Sequence, residues 1–516
     1  VTFLGYRKRD RDRGELDMTE NDKTNNAQVM NIRAAKAIVE TVRTTLGPMG
    51  MDKMMVDGAG NVIVTNDGAT ILRELDVAHP GGKMMIEISK TQETICYDGT
   101  TSTVVLAGQL LSNSEMLFEK GLHPNVICRG YREACQMAID YLNSEVSMDT
   151  GNEVLHDIAK TAITGKTVEA ATDIVSTLCV DAVMAAGDVD RVRVVSLPGG
   201  SIEESYLFNG VIVSKDFVLD YDLDDETNIL LLNTGLEEEK SKENVQVQLN
   251  AADYSQFQKS GRDNLLERAQ HIVMKMEGKG VVFVRDGVHD HVCAYLRKNG
   301  IGVIRRVPES VMKALRGCLG ISVAQTPEEL EASAFVKISR QKHNDVQYIF
   351  VESIVESDQS TLVLRGATQS TLDEVERGFD DALGVVSLVK EDGKVVAGGG
   401  SSFVAMASYL RNHGASVGGR PQMAIEAFAD ALEVIPATIA ENAGHDPLDV
   451  VLAMRHEIQN GNLYHGPDVT DGGITNMKDA GIFEPTKLIK QAVLSATEVT
   501  TALLRIDDIV GRRPVE

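Results

Sequence analysis

Asp98-Gly99-Thr100-Thr101-Ser102 places one carboxylate, one glycine and three hydroxyls just ahead of the apolar run Val104-Val105-Leu106. This order predicts a loop that turns into a helix. The first backbone N–H groups of a helix have no internal partners and stand at the positive end of its dipole. With hydroxyls beside them, they can hold a phosphate without any lysine. Asp98 at the mouth would repel that phosphate unless a cation stood between them, and Mg²⁺ binds one or two carboxylates together with phosphate oxygens. The same residues also fit a plain Asp N-cap with a threonine-rich first turn, and the loop alone supports both readings equally. Tyr97, directly before Asp98, is bulky at a place where a tight turn would favour glycine.

Two further glycine loops bear on the choice. Leu46-Gly47-Pro48-Met49-Gly50 ends a helical pattern, and Val396-Ala397-Gly398-Gly399-Gly400 stands between a strand-like and a helix-like run. Each is weak evidence alone, because glycine turns are common, yet three such loops at element ends would suit one nucleotide. Asp67, in Thr65-Asn66-Asp67-Gly68, and Asp381, in Asp380-Asp381-Ala382-Leu383, are carboxylates of the kind that orient or deprotonate water near a metal-bound triphosphate. Taken by itself, Asp381 reads more simply as a solvated helix face in an acidic run. His289-Asp290-His291 with Cys293 has metal-ligand types, but positions two apart do not share a helix face. His456-Glu457 lacks the second histidine of a zinc-protease helix, and the chain has no Walker lysine motif and no G-x-S-x-G elbow.

The elements that must position these loops follow from periodicity. Ile32, Ala35, Ile38, Val39 and Val42 keep helical spacing and predict an amphipathic helix over 27–45. Val62–Thr65 reads as a strand entering the turn Asn66-Asp67-Gly68. Helices are expected up to about Glu93 and again through Val104, Leu110 and Leu117 to a stop at Lys120-Gly121. The middle of the chain differs: short β-rich runs at 281–284, 303–304 and 321–323 alternate with helical patterns at 288–298 and 308–317, which indicates an α/β domain. Before it, Tyr254 to Met276 keeps helical spacing, with a break expected at Gly261. From about 395 the pattern returns to helices, at 421–443, 446–459 and 485–504. The helical ends could be two domains or one domain interrupted by an insertion.

A chain of 516 residues exceeds one core, so about three domains are expected. Its 51 basic against 76 acidic side chains leave a net charge of -25, which argues against nucleic acid and anionic membrane as partners. Arg7 to Arg13 is interleaved with Asp10 and Asp12 and reads as a solvated N-terminal arm. Six cysteines without a C-x-x-C pair speak for a reducing compartment and against a zinc knuckle. No apolar stretch approaches the roughly 20 residues of a membrane span. A soluble, cytoplasmic protein is expected.

In this order the segments resemble a group II chaperonin subunit, the type of the archaeal thermosome and its eukaryotic cytosolic relatives. The residues that carry the resemblance are Val42-Arg43-Thr44-Thr45-Leu46-Gly47-Pro48, Met51-Asp52-Lys53-Met54, Thr65 to Leu72, Asp98 to Ser102 and Gly200 to Ser205. Val363-Leu364-Arg365-Gly366, Ala397 to Gly400, Ala431-Leu432-Glu433-Val434-Ile435-Pro436 and Leu504 to Ile509 complete the set. It covers nearly the whole chain after the first 25 residues.

The resemblance implies a multidomain α and α/β chaperonin fold. A discontinuous helical equatorial domain would take 1–145 and 395–516, and a small intermediate hinge domain 146–212 and 362–394. An α/β apical domain would take 213–361, with a helical protrusion near 244–276 acting as a built-in lid. It implies ATP and Mg²⁺ as cofactors, ATP hydrolysis coupled to protein folding, and a homo- or hetero-oligomeric double ring of homologous subunits that receives unfolded or partly folded polypeptides. Residue by residue, Leu46, Gly47 and Pro48 would line the nucleotide, Asp98 would hold Mg²⁺, and Gly99, Thr100, Thr101 and Ser102 would hold phosphates. Gly399 and Gly400 would pack on the nucleoside, and Glu484 would take the ribose. Lys166 would sense the terminal phosphate, Asp67 would lie close to it, and Asp381 would activate the attacking water. The sequence departs from the family pattern at Tyr97, usually glycine, at Met49, usually lysine, and near Phe403, usually acidic. Those departures leave open a structural or substrate-docking ring subunit with weak ATPase.

Overall fold

The apolar series of the first helix is buried: Ile32, Ala35, Ile38, Val39 and Val42 line α1 (Glu20–Val42). The helix stops three residues short of expectation, because Arg43–Thr45 tightens into a 3₁₀ turn before the Leu46-Gly47-Pro48 corner. The computed structural model describes residues 20–508, apart from 57–59, 61, 167–170, 225, 238–250, 277, 331–333 and 354–359. The expected N-terminal arm lies outside the described residues. The chain divides into two compact units, Val1–Asp149 with Lys394–Glu516, and Thr150–Gly393.

The first unit begins with α1 and a hairpin of β1 (Lys53–Val56) and β2 (Val62–Thr65). α2 (Gly68–Glu74), α3 (Pro80–Cys96), α4 (Thr100–Glu119) and α5 (Pro124–Tyr141) follow, and β3 (Met148–Asp149) ends this stretch. Small residues let the helices approach closely. A Cβ on Gly108 of α4 would lie 2.2 Å from Val39 Cγ2 of α1.

The second unit holds α6 (Leu155–Ile163), α7 (Thr172–Ala186), β4 (Val192–Pro198), β5 (Tyr206–Phe208), β6 (Gly210–Val213) and β7 (Glu226–Leu232). α8 (Ala251–Met276), β8 (Gly280–Val284), α9 (Asp290–Lys298), β9 (Ile301–Ile304) and α10 (Glu309–Leu319) come next. β10 (Ala334–His343), β11 (Val346–Glu352), β12 (Ser360–Gly366) and α11 (Gln369–Asp392) complete it. A six-stranded sheet runs β6-β11-β10-β7-β8-β9, with β7, β8 and β9 parallel. Both its faces are covered, as parallel strands require. Val281 and Phe283 of β8 join the core under α10, while Val282 and Val284 join the core under α8 and α9.

Two expectations for this unit are corrected. α8 runs unbroken through Gly261. A glycine inside a helix costs about 1 kcal/mol relative to alanine, and the buried stripe Leu265, Ala269, Ile272 and Met276 outweighs it. Residues 321–323 form no strand. Ile321 and Val323 pack on the core, and only Ala324 bridges Leu232.

The chain re-enters the first unit through β13 (Lys394–Ala397), followed by α12 (Ser401–Val417), α13 (Gly419–Leu432), α14 (Val434–Asn442) and α15 (Pro447–Gln459). β14 (His465–Pro467), β15 (Ile474–Asn476), β16 (Phe483–Pro485) and α16 (Thr486–Leu504) end it. The single helix expected over 421–443 is two. Pro436 lacks an N–H and its ring would clash with the carbonyl four residues back, so the chain bends at Glu433 and the proline falls in the first turn of α14.

Glu433 fastens that bend. Its carboxylate accepts from Arg411 of α12 at 2.7 and 2.6 Å and from Arg455 Nε of α15 at 2.6 Å. Burial alone would raise its pKa, but the hydrogen bonds from Arg455 and Arg411 overcome burial and hold it below the ordinary 4.5. A carboxyl whose folded pKa is depressed stabilises the fold above its unfolded value, and that contribution is lost as pH falls through the folded value. Glu433→Gln should therefore cost about 3 kcal/mol at neutral pH, and denaturant titrations should show the gap from wild type closing below pH 4.5. A gap independent of pH would contradict this account of Glu433.

Candidate functional site

In the first unit the loop between α3 and α4 is built by two left-handed residues. Tyr97 caps α3 with φ 63° and its N–H donates to the Glu93 carbonyl at 2.9 Å, while Gly99 has φ 78° and begins α4. The tyrosine thus adopts the conformation for which glycine was expected. Asp98 lies between them, and its Oδ1 accepts from the Gly99 N–H at 2.8 Å. Thr100 and Thr101 are buried in the first turn of α4, whose opening N–H groups lack partners within the helix.

Asp67 caps α2, accepting from Ala69 N at 3.2 Å and Thr70 N at 2.8 Å. The next residue, Gly68, touches α4: a Cβ there would lie 2.2 Å from Thr101 Oγ1. Two helix N-termini, each with an aspartate beside it, are therefore adjacent.

α14 joins the other two glycine loops. A Cβ on Gly47 would lie 3.2 Å from Ile439, and Asn442 Nδ2 donates to the carbonyls of Arg43 at 3.0 Å and Leu46 at 2.8 Å. At the other end of the helix, a Cβ on Gly400 would meet Pro436 at 2.9 Å. Gly399 has φ 62° and packs on Met477. Gly398 donates to the Ile482 carbonyl and lies against Glu484.

Glu484 sits on β16, opposite Val396 of β13. The residue as a whole is half-buried, but its Oε2 is covered and has no partner. Burial, with the negative charge of Asp98 second, pushes its pKa up to about 7. Sequence reasoning missed Ile439, Asn442, Pro436 and Met477, which back the glycine corners. Pro436 and Glu433 stood in a recognisable motif, whereas the others carried no signal of their own.

Leu46, Gly47, Pro48, Asp67, Asp98, Gly99, Thr100, Thr101, Ser102, Gly399, Gly400 and Glu484 thus all belong to the first unit. Lys166 and Asp381 belong to the second, where Lys166 Nζ is ion-paired with Asp381 Oδ2 and both side chains are about four-fifths covered. His289 caps α9, its Nδ1 accepting from the His291 N–H. Among the described residues no group of three or more His, Cys, Asp or Glu side chains could hold a metal ion. No helix among them is long and apolar enough to cross a membrane.

Residues 38–514 match the TCP-1/cpn60 chaperonin family. The chain belongs to that family. Over 501 residues it is 42% identical to thermosome subunit alpha of Halobacterium salinarum, covering 94% of this chain and 88% of that protein. It is 40% identical over 510 residues to thermosome subunit beta of Archaeoglobus fulgidus, covering 95% and 93%. A thermosome subunit of Methanopyrus kandleri is 40% identical over 505 residues. These relatives make it a group II chaperonin subunit, with the mixed α and α/β composition expected of that fold.

For this chaperonin the strain at Tyr97 is directly testable. Tyr97→Gly and Tyr97→Ala remove the same ring, but only glycine adopts positive φ freely. Chemical denaturation should find Tyr97→Gly more stable than Tyr97→Ala by about 1 kcal/mol, the reverse of their order inside a helix. Equal stability, or alanine ahead, would show that the tyrosine's backbone is not strained.

Proposed function

We propose that the first unit binds ATP with Mg²⁺ and that its hydrolysis drives the folding cycle of this chaperonin subunit. The observation that carries the reading is the convergence, inside one unit, of three glycine corners, two helix N-termini and the carboxylates Asp67, Asp98 and Glu484. The covered, partnerless Oε2 of Glu484 is an acceptor suited to a ribose hydroxyl, and burial of an unpaired acceptor is costly unless a donor arrives. Asp98 would hold Mg²⁺, whose remaining ligands would be phosphate oxygens and water, as is usual for that ion. The ion would offset phosphate charge. Gly99, Thr100, Thr101 and Ser102 would bind phosphates through N–H and hydroxyl groups. Leu46, Gly47, Pro48, Gly399 and Gly400 would enclose the nucleoside, the glycines letting these corners pack closely on Ile439, Met477 and Pro436.

Asp67 and Asp381 are the proposed groups for orienting and deprotonating the attacking water, with Lys166 answering to the terminal phosphate. Asp381 lies on α11 of the second unit, and the family resemblance implies that it acts after a conformational step. Residues 146–212 and 362–394 would form the hinge part of that unit. Residues 213–361 would form the client-binding part, with α8 belonging to the lid and unfolded polypeptides as clients, in the cytoplasm.

Assembly with homologous subunits has its own support. On one face of the β1–β2 hairpin Met54 pairs with Val64 and Val56 with Val62, and Met54 and Val56 are 74% and 66% exposed. A bare two-stranded hairpin is marginal by itself, and we assign this face to a neighbouring subunit. Met54→Glu combined with Val62→Glu should shift purified protein from rings toward monomers by light scattering. Rings that persist would remove the hairpin from the interface.

Asp381→Ala should leave Mg²⁺–ATP affinity intact while single-turnover hydrolysis falls by about 100-fold or more. Unchanged hydrolysis would sink the catalytic assignment. Negligible turnover in wild type as well would favour the ring subunit with weak ATPase.

A further inference from the structure

Gln92 is fully buried on α3, little more than one turn before the loop that carries Asp98. Its Nε2 donates to the Asp98 carbonyl at 3.1 Å and to the Leu488 carbonyl, in the first turn of α16, at 3.3 Å. Both partners are acceptors only, which settles how the amide lies. Reversed, Oε1 would face two carbonyl oxygens. Oε1 itself is covered and has no partner, and so is the hydroxyl of Ser89. Ser89 lies three residues earlier on the same helix face. Neither group bonds the other in this structure.

The loop is moulded to this amide. A Cβ on Gly99 would lie 3.2 Å from Gln92 Nε2 and 2.8 Å from Leu488 Cδ2. The bond from Gly99 N–H to Asp98 Oδ1 ties Asp98 only to its own neighbour. The Gln92 bonds, by contrast, reach a helix nearly four hundred residues away in sequence.

We propose that Gln92 is a positioning residue that clamps the Asp98 backbone to α16. The clamp presets where the Asp98 carboxylate and the first N–H groups of α4 point, so a metal–phosphate group meets an arranged site rather than ordering one as it binds. This deepens the nucleotide-site reading and rests on it. Removing the donor takes this partner from the part-buried Asp98 carbonyl and unties the loop from α16, whose Leu488 carbonyl keeps its place in the helix, without altering any group that would touch nucleotide.

The test uses the full chain with Gln92→Met, which keeps the length of the side chain and removes its donor. Amide hydrogen exchange at 97–101, without nucleotide, should quicken about tenfold while exchange across α13 stays at the wild-type rate. Mg²⁺–ADP affinity by calorimetry should fall about tenfold. Gln92→Asn, which keeps an amide but shortens its reach, should act in the same direction. Wild-type exchange at 97–101 in Gln92→Met would overturn the clamp, and so would acceleration spread evenly over α13. If Gln92→Met does not fold, Gln92→Asn decides by the same local exchange. A wild type that does not bind Mg²⁺–ADP would overturn the nucleotide reading instead, and the nucleotide-free exchange would still judge the clamp.

Discussion

β13 pairs on one side with β3 and on the other with β16, so backbone hydrogen bonds hold in register three segments that end at 149, begin at 394 and pass through 484. This small sheet lets a chain leave a helical unit for more than two hundred residues and return to the same core. It also places the chemistry. Gly398, Gly399 and Gly400 extend directly from β13, and Glu484 lies opposite Val396. α16 then starts from β16 and meets the Asp98 loop through Gln92 and Leu488. Misregister by one residue would turn Glu484 to the other face of the sheet.

The helices serve that arrangement. α14 bridges two glycine corners because Pro436 forces a bend and Glu433, held by Arg411 and Arg455, fixes the bend's direction. α3 and α4 meet at a loop whose two left-handed residues turn the chain within three positions. One of those residues is a tyrosine. Its conformation shows that the loop's geometry is imposed by surrounding packing rather than by the preference of residue 97, a usual sign of a site that the fold over-determines.

Much of this was legible in the sequence. The apolar stripe of α1, the β-α-β alternation around 281–317 and the hydroxyl-rich start of α4 are local patterns, and local patterns survive folding. The three glycine loops were recognisable as a set, and the family resemblance drew in Glu484 and Asp381, which periodicity alone left as an ordinary acidic residue and a helix face. What escaped was non-local. Nothing near Asn442 announces that its amide ties Leu46, and nothing near Gln92 announces Leu488. The smooth apolar pattern over 421–443 masked the bend at Glu433, although Pro436 was the signal for it. At Gly261 the local rule misled, since tertiary burial of Leu265 through Met276 outweighs one glycine. Ile321 to Val323 has strand composition but finds no ladder, because pairing depends on neighbours the run cannot encode.

The central claim is that this chain is a chaperonin subunit whose nucleotide lies among Gly47, Asp98, Gly399 and Glu484. Electron cryo-microscopy of the purified full-length protein with Mg²⁺ and a non-hydrolysable ATP analogue tests it most directly. The account predicts double rings, with nucleotide density bounded by those four residues and the ribose against Glu484. Rings with density elsewhere, or protein that stays monomeric and empty at saturating nucleotide, would contradict it.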